Sequence, residues 1–237
     1  MMHRRLFQLI WGLGLYGFSM ALMLRANLGL DPWDVLHQGL APRLGLSFGM
    51  TVNLIGALVL LLWWPLRQRP GIGTVCNIIV IGTAVDLSLM ILPMPEGHGL
   101  RFGWLVAGIV LNGIAGGAYI GAGLGPGPRD GLMTGLCRRT GWPVKGVRTG
   151  IEIAVLAIGW LLGGTMGLGT LLYAATIGWI VHHALPFFAI AARDHQPVAP
   201  DRPKMELRPV LFCAALSYPA IRRIEALDTQ PLRQVPS

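Results

Sequence analysis

Six stretches of this chain run for about 14 to 25 residues with almost no charge, and nothing else in the sequence constrains the fold as strongly. A helix needs roughly 20 mostly apolar residues to cross a ~30 Å hydrocarbon layer, and in lipid its backbone must satisfy its own polar groups. The stretches are Leu6 to Leu24, Ser47 to Leu66, Ile72 to Leu92, Phe102 to Leu124, Thr149 to Leu162 and Leu168 to Ala192. They predict an all-α, polytopic transmembrane bundle of about six spans. Composition agrees: 53% of residues are hydrophobic and 13% charged, where soluble domains carry roughly a quarter charged, and mean hydropathy is +0.58. The first stretch follows His3, Arg4 and Arg5 like a signal-peptide start. It is too long for a signal h-region, and Arg25-Ala26-Asn27 is a poor cleavage site, so it reads as a retained anchor. Trp63-Trp64-Pro65 resembles an interfacial aromatic belt, and Pro186 is expected to kink the last span.

Charge placement decides orientation and excludes one class of partner. With the N-terminus inside, the inner segments hold Arg4, Arg5, Arg67, Arg69, Arg129, Arg138, Arg139, Lys145, Arg148, Arg193, Arg202, Lys204 and Arg208. The outer loops hold Arg25, Arg43 and Arg101, so the count is 13 against 3. The excess of cations inside predicts cytoplasmic N- and C-termini. A net charge of +8 suggests nucleic acid, but the cations sit between apolar blocks and in the tail, on no single face, so no nucleic-acid partner is expected. Cys76, Cys137 and Cys213 have no metal-ligand spacing and form no disulfide framework, so neither metal nor cofactor is expected. Residues 1–192 read as one transmembrane domain and 193–237 as a Pro-rich cytoplasmic tail, partly disordered, with Pro197, Pro200 and Pro203.

The chain also resembles itself. Shifted by 96 residues, Gly12–Met90 aligns without gaps on Gly108–Pro186, with 25 of 79 positions identical. Counting matches in a chain this rich in Gly and Leu gives about 6 or 7 by chance. The identities fall in ordered groups. Leu28-Gly29, Pro32 and Asp34 meet Leu124-Gly125, Pro128 and Asp130, and Gly71, Gly73 and Thr74 meet Gly167, Gly169 and Thr170. Repeat 1 covers about 6–93 and repeat 2 about 102–192. Three spans per copy make an odd number, so the second copy enters the bilayer from the other side and the repeats are inverted. The first Pro-x-Asp segment is then outside and the second inside.

After its first span each copy has a short helix. Asp31 is placed to cap it, with Pro32 in the first turn and Asp34 at the third position, and Gly45 or Gly141 ends it. About 12 residues cannot cross, and Trp33, Leu36, Leu40 and Leu44 share a face, so the element is amphipathic, either interfacial or re-entrant. Asp31, Asp34 and Asp130 are candidate substrate ligands at the repeat interface, or simple helix caps. Ionisable groups inside spans are costly, which adds Asp86, Glu152 and His182, with His183 beside it. Asp86 and His182 are equivalent positions of the repeat, as a proton relay would use. Against that, Glu152 follows Arg148 at i+4 and is placed to pair with it. Asn53, Asn77 and Asn112 read as hydrogen-bonding links between helices. The two Gly-x-Gly-Thr segments read as close helix packing or as a phosphate loop, though no P-loop Lys follows.

Three segments carry a family resemblance: Leu-Gly-Leu-Asp-Pro-Trp-Asp, Gly-Ile-Gly-Thr-Val-Cys-Asn-Ile-Ile-Val-Ile-Gly and Gly-Pro-Gly-Pro-Arg-Asp-Gly-Leu. They resemble the YczE/YitT group of bacterial integral membrane proteins over about Arg5 to Ala192. The resemblance implies a bacterial inner membrane and supplies no catalytic or binding residues. The expected function is a small secondary transporter or exporter with its site at the inverted-repeat interface. The alternative is a non-transporting scaffold or regulator acting through partner or lipid contacts. No His-Glu-x-x-His or Gly-x-Ser-x-Gly motif is present, so an enzyme is not expected. The expected partners are the lipid bilayer, an unknown small-molecule substrate and a second copy, since six spans are few for a monomeric transporter.

Overall fold

The computed structural model describes residues 2–190, and these form eight α-helices with no strand. The helices are α1 (Met2–Ala26), α2 (Pro32–Leu44), α3 (Phe48–Leu61), α4 (Ile72–Ile91), α5 (His98–Gly121), α6 (Pro128–Thr140), α7 (Val144–Leu161) and α8 (Leu168–Phe188). The tail assigned to 193–237 lies outside the described residues. Four helices, α1, α4, α5 and α8, are long and apolar enough to cross a membrane, and α2 with α3 would count as a fifth, bent by 108°. The run from Ser47 to Leu66, read as one span, stops being helical at Leu61 and continues as turns through Arg67. Fourteen residues at 1.5 Å each reach only about 21 Å. The fifth apolar run gains a turn at its front: α7 begins at Val144 and so carries Lys145, Arg148 and Glu152.

Local chemistry sets the breaks. Asp31 caps α2 by accepting from the Asp34 N–H at 2.9 Å, with Pro32 in the first turn. Gly45 ends the helix at φ +64°, a left-handed conformation that costs glycine nothing. Ser47 then caps α3 through the Met50 N–H at 3.1 Å, so only Gly45, Leu46 and Ser47 separate the two helices where the chain changes direction.

Each of α5 to α8 repeats one of α1 to α4 at a spacing of 96, to the residue for the ends of α2 and α6. Contacts between the halves repeat with the roles exchanged. The Gly73 N–H donates to the Leu124 carbonyl at 2.9 Å, and the Gly169 N–H donates to the Leu28 carbonyl at 2.8 Å. Position 28 corresponds to 124 and 73 to 169, so this is one bond made twice, as across a self-complementary interface. The Gly-x-Gly-Thr segments are therefore close-packing elements. Gly71 and Gly73 lie against Leu124 and Gly125, and the Thr74 hydroxyl donates to the Pro126 carbonyl at 2.7 Å. Asn112 links helices as expected, donating to Ser19 Oγ at 2.9 Å and accepting from the Tyr173 hydroxyl at 2.9 Å.

The exchange is uneven. α1 packs on α4 as α5 packs on α8, but α2 packs on α7 more closely than α3 packs on α6, and α3 packs closely on α4 while α7 stands away from α8. Glycines at equivalent positions register the difference. A Cβ at Gly82 of α4 would lie 1.9 Å from Asn53 Oδ1 and 2.2 Å from the Gly49 carbonyl of α3. A Cβ at Gly178 of α8 would meet nothing within 4 Å. One copy of the joint is shut and the other is open.

Candidate functional site

The two short helices, α2 and α6, aim their N-termini at one place. Arg129, the second residue of α6, reaches across to α2. Its guanidinium nitrogens lie 3.8 Å from Asp31 Oδ2 and 3.7 Å from Asp34 Oδ1, and its carbon sits 5.0 Å from the centre of the Trp33 ring. Both aspartates are buried, at 2% and 0% exposure, as is His37, whose Nδ1 is 3.1 Å from Asp34 Oδ1. Taking carboxylates out of water is expensive, and hydrogen bonds are needed to offset it. Here the compensation is partial: Asp31 Oδ2 and Asp34 Oδ2 make no hydrogen bond within the described residues.

Beside this cluster lies a cavity of about 180 Å³. Asp31, Trp33 and His37 line it from α2, Arg129 and Asp130 from α6, Arg148 and Glu152 from α7, and Tyr16, Tyr119 and Tyr173 from α1, α5 and α8. The Tyr119 hydroxyl donates to Asp130 Oδ2 at 3.2 Å, and the Tyr16 and Tyr119 rings meet edge to face at 6.1 Å. Arg148 pairs with Glu152 at 2.8 Å, partly exposed. The lining mixes charged and aromatic side chains, as in sites that orient a small molecule with a few placed polar groups.

Comparison with known proteins bears on the same helices. A family model for a family of unknown function, DUF6198, matches residues 3–186. The chain belongs to that family. An uncharacterised protein of Haemophilus influenzae is 40% identical over 181 residues, covering 76% of this chain and 83% of its own. The uncharacterised membrane protein YczE of Bacillus subtilis is 37% identical over 177 residues, covering 74% and 82%. Bacillus subtilis YyaS, also uncharacterised, is 26% identical over 185 residues, covering 74% and 90%. No solved structure matches. With the apolar helices, the likeness to YczE makes this DUF6198 chain a membrane protein with several candidate spans.

Of the six site residues expected from the sequence, this DUF6198 fold brings Asp31, Asp130 and Glu152 to the cavity lining and buries Asp34 behind it, against Arg129. Asp86 is elsewhere. Its carboxylate accepts from the Gly49 N–H at 2.7 Å and from the Ser47 hydroxyl, capping α3 from a neighbouring helix. His182 is half-buried on α8, its ring 5.4 Å from that of His183 and off the cavity wall. The sequence reading missed Arg129, counted there as a loop cation, together with His37 and the three tyrosines. A signal was available for two of them. His37 follows Asp34 at i+3, one turn along the same face. Arg129 occupies the repeat position equivalent to Trp33, so the two equivalent side chains meet each other.

Proposed function

We propose that this protein is a small secondary transporter or exporter of the bacterial inner membrane, built on two inverted three-span repeats, with the cavity as its substrate site. The observation that carries the proposal is the broken exchange of contacts: α3 closed on α4, α7 open from α8. Two copies of one sequence pattern held in different states are what alternating access through inverted repeats requires, since the opposite-facing form arises when the copies trade conformations. Arg129 supports the same reading. If the Pro-x-Asp segments enter from opposite sides, they touch only when both descend as re-entrant half-helices toward the middle. α2 and α6, at 13 residues each, reach about 20 Å, enough for that depth. The span count is then completed by the α2–α3 pair and by α7, and the positive-inside bias puts both termini in the cytoplasm. The proposal assigns the chain no covalent chemistry, cofactor or nucleic-acid partner, and it includes a homodimer in the bilayer.

The test is a pair of engineered disulfides. Gly56→Cys with Ile78→Cys bridges the closed joint, where a Cβ at Gly56 lies 3.7 Å from the Ile78 Cβ, and is expected to oxidise readily. Glu152→Cys with Ala174→Cys is the equivalent pair at the open joint, and it should form only as α7 swings onto α8, slowly and then completely. A second pair that never forms under oxidant, while the first does, means a static asymmetry and removes the transport reading. A scaffold or regulator bound to anionic lipid is the second reading. It is favoured by the groove that Arg67, Arg138 and Arg139 form with Pro65 and Leu66, where a phosphate headgroup would find three guanidinium groups.

A further inference from the structure

We infer that the cavity takes a small organic monocation, a protonated or quaternary amine, held by the Asp31 carboxylate among the aromatic side chains that line it. The inference rests on the reading of the cavity as the substrate site and adds the class of substrate. Formal charge is the first ground. Arg148 and Glu152 cancel as a pair, leaving Asp31 and Asp130 on the lining, with Asp34 behind them, against Arg129. Three carboxylates against one guanidinium leave a negative excess, which persists even if Asp31 and Asp34 share one proton. Partial positive charges at the α2 and α6 N-termini do not reverse it, because Asp31 and Asp34 already sit in the first turn of α2 and Asp130 in that of α6.

The second ground is the unused oxygen. Asp31 Oδ2, on a buried side chain lining the cavity, has Arg129 only at 3.8 Å, beyond hydrogen-bond length, and no other polar partner among the described residues. The third is the lining itself. Tyr16, Tyr119 and Tyr173 with Trp33 are part of it, and aromatic faces attract cations, the usual recognition of quaternary ammonium groups. Arg129 already shows the pattern in miniature, as a tethered cation against Trp33 with carboxylates at its nitrogens. A metal ion fits less well, since no three His, Cys, Asp or Glu side chains converge to hold one among the described residues. In size, a cavity of roughly 150 Å³ admits a benzene-sized molecule. About 180 Å³ therefore suits a small alkylammonium ion.

The test is calorimetric titration of the purified full-length protein in detergent with tetramethylammonium chloride, with sodium chloride and sodium acetate as matched controls. Saturable binding of tetramethylammonium is expected, about tenfold or more weaker in Asp31→Asn, as loss of one charge-assisted contact implies. Trp33→Leu is expected to weaken it as well. Saturable binding of acetate, or of sodium with no tetramethylammonium binding, overturns the inference, and this comparison needs only the unmodified protein should Asp31→Asn fail to fold. The disulfide pair at 152 and 174 separates the two claims. If it forms but tetramethylammonium does not bind, transport stands and the cation class falls. If tetramethylammonium binds but the disulfide never forms, the site stands and transport falls.

Discussion

Gly49 and Gly82 show how closely single residues set this fold. A Cβ at Gly49 would lie 2.0 Å from the Gly82 carbonyl, and a Cβ at Gly82 would lie 2.2 Å from the Gly49 carbonyl. Backbone has met backbone at both, and neither can retreat as a flexible side chain would. Gly49→Ala is therefore expected to destabilise by about 1–3 kcal/mol through overpacking, read as a lower melting temperature in detergent. Gly178→Ala, at the open equivalent, should cost nothing and add up to about 0.5–1 kcal/mol, because alanine replaces glycine inside a helix. If both variants lose stability alike, α7 and α8 are closed in solution. Asp86 supplies a second residue-scale prediction. Since its carboxylate caps α3, Asp86→Ala should cost about 0.5–2 kcal/mol of stability, as lost N-caps do, and leave tetramethylammonium affinity unchanged. A tenfold loss of affinity at normal stability would return Asp86 to the functional site.

At the scale of elements, the short helices were legible because their ends are written in residue chemistry. Asp31-Pro32 and Gly127-Pro128 start them, and Gly45 and Gly141 stop them in left-handed backbone at φ +64° and +70°. An alanine at either glycine would hold its Cβ against the preceding carbonyl, so Gly45→Ala and Gly141→Ala should each lower stability by about 1 kcal/mol. Thermal unfolding of the two variants checks this, and a change under a few tenths would mean that the chain rounds these corners differently. The ends of α3 and α7 were misread for a physical reason. Leu62-Trp63-Trp64 is as apolar as any helix, so hydropathy runs on past Leu61. What stops α3 is the packing of Trp63, fully buried against Gly131, with its indole N–H donating to the Pro128 carbonyl at 3.0 Å. That contact lies 65 residues away, and no local pattern announces it.

Across the described helices, the duplication was the most informative part of the sequence, and its limit was instructive. Self-alignment identified which positions are equivalent but not which of them touch, so Arg129 stayed a loop cation until the fold placed it against Trp33, Asp31 and Asp34. Nor did it announce that α3–α4 and α7–α8 pack differently, although α7 carries Lys145, Arg148 and Glu152 where α3 carries Gly49, Val52 and Gly56. The same duplication carries the proposed inversion, and one pair of positions tests it. Arg43 and Arg139 are identical in sequence, equivalent in the repeat, near the ends of α2 and α6, and both exposed. In a background with Cys76, Cys137 and Cys213 replaced, Arg43→Cys should react with a membrane-impermeant thiol reagent added outside intact cells. Arg139→Cys should stay protected until the membrane is opened. The exchanged Gly73–Leu124 and Gly169–Leu28 bonds fit a two-fold relation between the copies, and a two-fold axis lies either in the membrane plane or along its normal. Opposite-side labelling selects the axis in the plane. Same-side labelling selects the normal, makes the repeats parallel with an even number of crossings each, and removes the structural basis for alternating access by exchange of the two halves.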